Sequence, residues 1–556
     1  MSHCILLIQD LGGKRLNSFL YDKQSNPLQH LEQPNADQSL ADAINDFFVS
    51  VSAHILPFDK DLISDLTADY TDQYIIEPLE IERRLSRINV HKSSGPDGLP
   101  NWLLRDFASL LSEPLAAIFN ASLREGYFPP VWKSAEVVPV PKTQPAISIQ
   151  NDLRPISLLP TVSKVFEAIV GRWFLSFVEP YLDNCQFGCR KGRSTLHALV
   201  AVIHAWMSCL DSGGSVRTVF VDFRKAFDLV DHNVLFTKLF KYQMPNFMLK
   251  WFSAYLSNRH QRVRADQHLS SWKELSGAMP QGSWLGPLCF LVLIDDFTAG
   301  CLVHKYVDDT TLSELLPSRS QHSSMPVFLD NLLAWADLNG MQINATKTKE
   351  MILGPLARTD MSLLTLPAGI INRVTSFKLL GVHIDSNLSW STHIDHVVKK
   401  ATSRLYFLKQ LKRAGVASDH LLHFYTTVIR PVLEYCAPLW HYALTKAQAE
   451  QLEAIQKRAI HIIFNFSRGM PYNVVLDTAE LSSLSSRRSN FSSEFFIGIT
   501  DPDSCLHHLL PAPRPHSVTA RLRTYETYPR VATRTKRYCS FIQYSLNHYQ
   551  ISIPNS

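Results

Sequence analysis

The sequence predicts an α+β fold, and three observations predict it. "VRTVFVDF" (216–223) is β-branched and aromatic enough for a central strand. "CLVHKYVDDTTLSEL" (301–315) reads as a hairpin of two short runs around an acidic pair. Helical spacing of apolar residues recurs in "LADAINDFFVSV" (40–51), "LEIERRLSRI" (79–88) and "HVVKKATSRLYFLKQLKRAG" (396–415).

Taken in chain order, residues 1–35 carry no strong period, and 36–90 read as acidic, helical lead-in text. Turn-rich passages follow, "HKSSGPDGLP" and "GYFPPVWKSAEVVPVPK"; then "NDLRPISLLPTVSKVFEAIV" reads as a loop opening into a helix. The central strand runs into helical text through "LVDHNVLFTKLFKY", which leaves Asp222 near a strand end. "LSGAMPQGSWLGPLCFLVLIDDF" is a Gly/Pro-punctuated loop entering an apolar helix. After the hairpin, a helix over "FLDNLLAWADLNG" ends at Gly340, and short strands fall in "KEMILG" and "SFKLLGVHID". Beyond 391 a long helix carries an apolar stripe of Val398, Ala401, Leu405 and Leu408 and stops at Gly415.

Charge is segregated along the 556 residues. Residues 31–80 hold eleven Asp/Glu and one Lys, whereas 391–430 hold seven Lys/Arg and two Asp, and 511–540 seven Lys/Arg and one Glu. Basic blocks suit a polyphosphate partner, because neutralising phosphates releases condensed counterions; any one block reads equally as a solvated helix face. No run reaches the roughly 18–20 apolar residues that span a bilayer, and "CILLI" is too short for a secretory signal. An intracellular protein is expected, cytoplasmic or nuclear, with no membrane partner. The nine cysteines are scattered without zinc-finger spacing, so reduced thiols and no structural zinc are expected.

Neighbours in a regular strand point to opposite faces, so Asp308 and Asp309 share a site only if a turn separates them. A hairpin tip beside the end of the central strand would gather Asp222, Asp308 and Asp309. Such a cluster repels itself unless cations occupy it, and hard oxygen donors favour magnesium. Alone, a DD pair reads more readily as a solvated turn or a capping group.

The chain resembles the reverse transcriptases of non-LTR (LINE, jockey-like) retrotransposons from about residue 40 to 470. "KSSGPDGLP", "FPPVWKSAEVVPVPK", "NDLRPISLLPTVSKVFE" and "QFGCRKGRST" resemble the family's finger motifs, in order. "VFVDFRKAFDLVDH", "MPQGSWLGPLCF", "YVDD", "WADLNGMQINATKTKEM" and "FKLLGVHID" resemble its palm motifs, and "LLHFYTTVIRPVLEYCAPLWH" with "QLEAIQKRAI" its thumb. Cys189 stands where an aromatic residue is common and Leu153 where a tyrosine is usual, both read as packing changes.

The resemblance implies a right-hand polymerase: a lead-in segment over 1–80, fingers and the start of the palm over 81–215, palm over 216–390, helical thumb over 391–470 and a basic extension over 471–556. It implies Asp222, Asp308 and Asp309 as catalytic metal ligands for two Mg2+ ions, with Mn2+ able to substitute. Lys142, Arg154, Phe227, Gln281 and Gly282 are implied nucleotide-binding residues, Phe227 being a steric gate against the ribose 2′-hydroxyl. Phe227 alone reads as ordinary helix packing, and Asp228 and Asp231 as structural or capping groups. Lys347, or Lys349, is a candidate proton donor to pyrophosphate, and a solvated lysine is an equal reading. Lys378, Leu380 and Gly381 fall in a primer-grip-like strand. RNA template, DNA primer and dNTPs are the implied partners. No stretch reads as an apurinic-type endonuclease, so autonomous target cleavage is not expected. Competing readings are an RNA-dependent RNA polymerase, opposed by Phe227 and "YVDD", an intron-encoded maturase, and an inactive RT-derived RNA-binding protein.

Overall fold

The computed structural model describes residues 39–67, 70–317, 322–464, 469–515 and 526–549, with Leu28, His30 and Leu31. The expectations for residues 1–27 and for parts of the polar loop near 317–325 lie outside these.

Helix α1 (Leu40–Ser50) is capped by the Ser39 side chain, and Pro78 begins α2 (Pro78–Leu85) at a position where its missing N–H costs nothing. Among the described residues between them, the helical text forms short 3₁₀ turns, Lys60–Ile63 and Asp72–Tyr74. α3 (Ala108–Glu125) follows and ends on left-handed Gly126. β1 (Ser134–Pro141) and β2 (Leu153–Leu158) pair antiparallel. "LRPISL" is therefore strand rather than loop, and the helix α4 (Thr161–Val178) begins after Pro160. β4 (Arg259–Ala265) joins β1 in parallel and carries β5 (Lys273–Leu275) on its edge.

A second sheet holds β3 (Ser215–Val221) at its centre. It is preceded by α5 (Thr195–Asp211) and flanked by β7 (Asp309–Leu316) and β8 (Lys349–Leu353). β6 (Leu302–Tyr306) lies outside β7, and β9 (Asn372–Arg373) runs parallel outside β8, giving the order β9–β8–β3–β7–β6. All seven residues of β3 are buried. Its polar members are satisfied within the sheet: Thr218 Oγ1 donates to Leu312 O at 2.7 Å, and Arg217 Nε to Glu350 Oε1 at 2.7 Å.

The two faces of this sheet feed two cores. Val219 and Val221 point into one with α4, α6 (Asn246–Leu256) and α7 (Leu285–Asp295), apolar up to its terminal aspartate. Val216 and Phe220 point into the other, with α5, the hairpin β10 (Ser376–Leu379) and β11 (Val382–Asp385), and the C-terminal helices α8 (Ser391–Arg413), α9 (Lys446–Ile463), α10 (Leu484–Thr500) and α11 (Phe541–His548). In α8 the core stripe is Ile394, Val397, Ala401, Leu405 and Leu408; Val398, expected in it, is only half-buried. The helix starts at Ser391, and Ile394 with Val397 continues the three-and-four spacing toward its N-terminus. No helix among the described residues is long and apolar enough to cross a membrane.

Candidate active site

The catalytic candidates sit where the central strand meets the hairpin. β3 and β7 pair through Val221 opposite Thr310, so the same register carried one residue further sets Asp222 opposite Asp309. β6 and β7 close with Tyr306 opposite Asp309, leaving Val307 and Asp308 as a two-residue turn. The turn is what lets Asp308 and Asp309 leave opposite faces of a strand.

That turn is held from outside. Val307 has φ +60°, a left-handed conformation that a β-branched residue adopts only under constraint. Residues 185–188 run alongside β6: Phe187 N donates to Lys305 O and Lys305 N to Cys185 O, both at 2.9 Å. The Gln186 side chain is fully buried, and its Oε1 accepts from Val307 N at 3.0 Å and Gly188 N at 2.8 Å. A Cβ on Gly188 would lie 2.5 Å from Val307 Cγ2, so only glycine permits this approach. Beneath the hairpin, buried Lys305 donates to the carbonyls of Ile294, Asp295 and Phe297 and pairs with Asp183 at 3.0 Å, tying β6 to the end of α7. Gln186 and Gly188 were not singled out from the sequence, although "QFG" was the signal that held them.

Asp222 is fixed through its backbone: its N–H donates to Thr348 Oγ1 at 3.2 Å and its carbonyl accepts from Asn344 N at 2.8 Å. Burial raises its carboxyl, opposed by Lys347, the Asn344 side chain and Lys142. Burial likewise raises Asp308, with the Asp222 charge acting in the same direction. Asp309 keeps exposed surface at the hairpin tip while its carboxyl is crowded by surrounding protein. The desolvating walls, then Asp308 and Asp222, push it up to about 6. The three carboxylates thus feel one another, yet among the described residues no three His, Cys, Asp or Glu side chains converge tightly enough to hold a metal ion by themselves. They form an open set of hard oxygen donors. That suits a cation which keeps waters and takes part of its coordination from substrate phosphates.

Opposite the carboxylates lies a set of cations. Lys142, at the end of β1, faces Lys347, Arg154 and the acids Asp152 and Asp228, and burial lowers its ammonium. Lys347 faces Asp222, whereas Lys349 Nζ turns back to Thr346 O at 2.5 Å, so Lys347 is the better placed of the two. Phe227 is half-buried, its ring 5.2 Å from that of Phe290. Gln281 Nε2 donates to Asp228 Oδ1 at 2.9 Å and Gln281 O accepts from Ser157 N at 2.8 Å. A Cβ on Gly282, at φ +134°, would meet Ser157 O at 2.6 Å. Asp231 caps the helix His232–Leu239 by accepting from Asn233 N and Val234 N. Fully buried Glu167 accepts from Trp284 N at 2.9 Å and fixes the start of α7.

Leu380 and Gly381 form the β10–β11 turn with φ of +45° and +87°, the two left-handed residues of a tight hairpin. Tyr435 Oη donates to Leu380 O at 2.8 Å. Leu379 and Leu380 share a small cavity wall with Tyr306 and Asp309, so this turn abuts the catalytic hairpin, while Lys378 is exposed. From Gly282 a groove of about 1000 Å³ runs outward between α2 and α4, lined by Arg83, Arg84, Arg87, Lys92, Lys164 and Arg172.

This sheet, with carboxylates at a hairpin tip and cations opposite, defines a class: residues 140–384 match the family Reverse transcriptase (RNA-dependent DNA polymerase). The chain is 26% identical over 401 residues to the RNA-directed DNA polymerase from mobile element jockey of Drosophila melanogaster, covering 69% of this chain and 43% of that protein. It is 26% identical over 407 residues to the probable RNA-directed DNA polymerase from transposon X-element of the same fly, 70% of this chain and 44% of that one. It is also 26% identical over 414 residues to the probable RNA-directed DNA polymerase from transposon BS, again from that fly, 70% of this chain and 45% of that protein. Over these residues the chain is similar to the reverse transcriptases of jockey-like non-LTR retrotransposons, and it spans less than half the length of the curated relatives it matches. Residues 390–430, from the start of α8, also match the family Alkylated DNA repair protein alkB homolog 8, N-terminal.

Proposed function

We propose that the chain is an RNA-directed DNA polymerase that extends a primer 3′-hydroxyl with dNTPs on an RNA template. The observation that carries this reading is that β3 and β7 pair as far as Val221–Thr310, which leaves Asp222 just past the end of β3 and close enough to the hairpin tip for its charge to raise both Asp308 and Asp309. In this reading 81–215 form the fingers, 216–390 the palm and 391–470 a thumb, with 1–80 leading in and 471–556 following.

The 3′-hydroxyl attacks the α-phosphorus of the dNTP, the bond to the bridging oxygen breaks, and pyrophosphate leaves. Asp222 and Asp308, with Asp309 as the weaker third, would hold divalent cations, Mg2+ or Mn2+, which would supply hydroxyl activation and neutralise the developing phosphate charge. Arg154 and Lys142 grip the triphosphate, Gln281 and Gly282 border the nucleotide and template, and Phe227 excludes the ribose 2′-hydroxyl. Lys347 gives its proton to the departing pyrophosphate. Lys378, Leu380 and Gly381 steady the primer end, and the exposed cations of α8 and of the groove beside Gly282 follow the nucleic-acid backbone without reading sequence.

The test is extension of a labelled primer on an RNA template with Mg2+, against Asp308→Asn. Wild type is expected to exceed the variant by at least about 10²-fold, about 3 kcal/mol in barrier. Equal signals from the two proteins would instead favour an RNA-binding role without catalysis.

A further inference from the structure

The acidic N-terminal region reaches the nucleotide site. α1 is anchored to β4 and β5 by its polar face: Asp42 Oδ1 accepts from Ser271 N at 2.9 Å and Ser271 Oγ at 3.1 Å. Asn45 Nδ2 donates to Ser271 O at 3.0 Å, Asn45 Oδ1 accepts from Gln261 Nε2 at 3.1 Å, and Asp46 pairs with Lys273. Ala41 and Ile44 lock the apolar face against Val137 and Val263. So anchored, α1 presents the half-buried ring of Phe47 to Lys225, whose Nζ lies 3.8 Å from the ring centroid.

Lys225 stands between Asp222 and Phe227 in the chain, and its backbone is left-handed, at φ 50° and ψ 47°. A lysine adopts that conformation at a cost, so something beyond its own backbone must hold it. The conformation has a use: the Lys225 carbonyl accepts from Asp228 N at 2.9 Å and Leu229 N at 3.1 Å, closing the 3₁₀ turn that carries Phe227. The turn then contacts the template loop twice, through Met279 N donating to Phe227 O at 2.9 Å and through Gln281 donating to Asp228. At the other end of the side chain the ammonium lies over the Phe47 ring. Burial depresses the Lys225 ammonium to about 8 against the pull of Asp228, with Arg224 and Lys142 repelling it. A partly desolvated ammonium gains most from an aromatic face.

We propose that Phe47 is a positioning residue for the nucleotide site, seating Lys225 against its ring so that the turn bearing Phe227 and Asp228 keeps its shape. The inference rests on the polymerase reading above, and it gives the N-terminal helix a part in nucleotide selection. Phe47 touches neither substrate nor metal in this account; it acts through Lys225.

The experiment uses the full chain in primer extension with Mg2+, measuring kcat and KM for dTTP and the preference for dTTP over UTP. Phe47→Leu keeps an apolar group and loses the ring face. It is expected to raise KM by about 3- to 30-fold, the span of a cation–π contact, with kcat within about twofold and the preference for dTTP reduced. Phe47→Tyr is expected to restore both, and Lys225→Gln to repeat the loss with no further effect in the double variant. Unchanged KM and sugar preference in Phe47→Leu, or fully additive losses in the double variant, would overturn the proposal. The dTTP-induced rise in Tm provides a readout without turnover. Should wild type fail to outperform Asp308→Asn, the polymerase reading falls, while a smaller dTTP-induced rise in Phe47→Leu than in Phe47→Tyr still decides the pair.

Discussion

Asp309 shows how a single side chain couples charge, stability and metal. Its carboxyl is pushed from an ordinary value of 3.8 up to about 6, chiefly by desolvation and then by Asp308 and Asp222. The folded chain therefore holds this proton more tightly than the unfolded chain. That stabilisation is complete below about pH 4 and is lost as pH rises through about 6. Without divalent metal, Asp309→Asn should have a higher Tm than wild type at pH 7.5, and the gap should close below about pH 4. With Mg2+ saturating the carboxylates the gap at pH 7.5 should narrow or reverse, because the cation relieves the repulsion in wild type alone. Thermal unfolding in EDTA and in Mg2+ across pH 4–8 reads this directly; a variant less stable than wild type in EDTA at pH 7.5 would contradict it. The pair "DD" was legible in the sequence as an acidic turn. The asymmetry between its members was not, because it depends on what each meets in the fold: burial raises both, but Asp308 and Asp222 add to it at Asp309, whereas at Asp308 Asp222 alone adds and a backbone hydrogen bond lowers it.

At the scale of elements, the hairpin β6–β7 was readable and its conformation was not. Alternating β-branched and aromatic residues announce the two strands, but Asn-Gly or Asp-Gly is what a two-residue turn ordinarily uses. Here Val307 holds the left-handed position, and it does so because Gln186, 121 residues earlier in the chain, accepts its N–H. No local rule links residues so far apart. A similar limit applies to α7: its loop-to-helix text was evident, yet the carboxylate that fixes its start, Glu167, comes from α4. Gln186→Ala should leave two buried N–H groups, those of Val307 and Gly188, without their acceptor, a penalty of about 1–3 kcal/mol each. Part of that penalty should appear at the site as a displaced turn. The expected outcome is a kcat in primer extension reduced by about tenfold or more, with KM for the primer–template little changed and with circular dichroism retained below the lowered Tm. Wild-type kcat in this variant would show that the brace does not govern the position of Asp308.

Across the whole molecule, β3 joins two cores, and the second of these reaches the C-terminal region. The sequence suggested a basic extension over 471–556, with weak periodicity in its last fifty residues, but a few widely spaced apolar residues place its helices inside the fold. Phe541, Ile542 and Leu546 of α11 are buried in the same core as Val216, Phe220 and Trp440. Asp211, at the end of α5, accepts from Arg534 N and Thr535 N at 2.9 Å, and Ser540 caps α11 while its hydroxyl meets His204 at 2.8 Å. Periodicity analysis misses α11 because eight residues are too few to repeat an apolar stripe; the contacts that bury it come from α5, α10 and residues 437–440. If the core is continuous from sheet to C-terminus, damage at its far end should be felt at the catalytic end. Phe541→Ala, which empties a ring-sized space, is expected to cost about 3–5 kcal/mol. Primer-extension activity and the far-ultraviolet signal should then be lost together at the same lower urea concentration. A variant whose α11 region melts early while activity persists to the wild-type midpoint would show instead that the C-terminal helices dock against the β3 sheet as a separate cooperative unit.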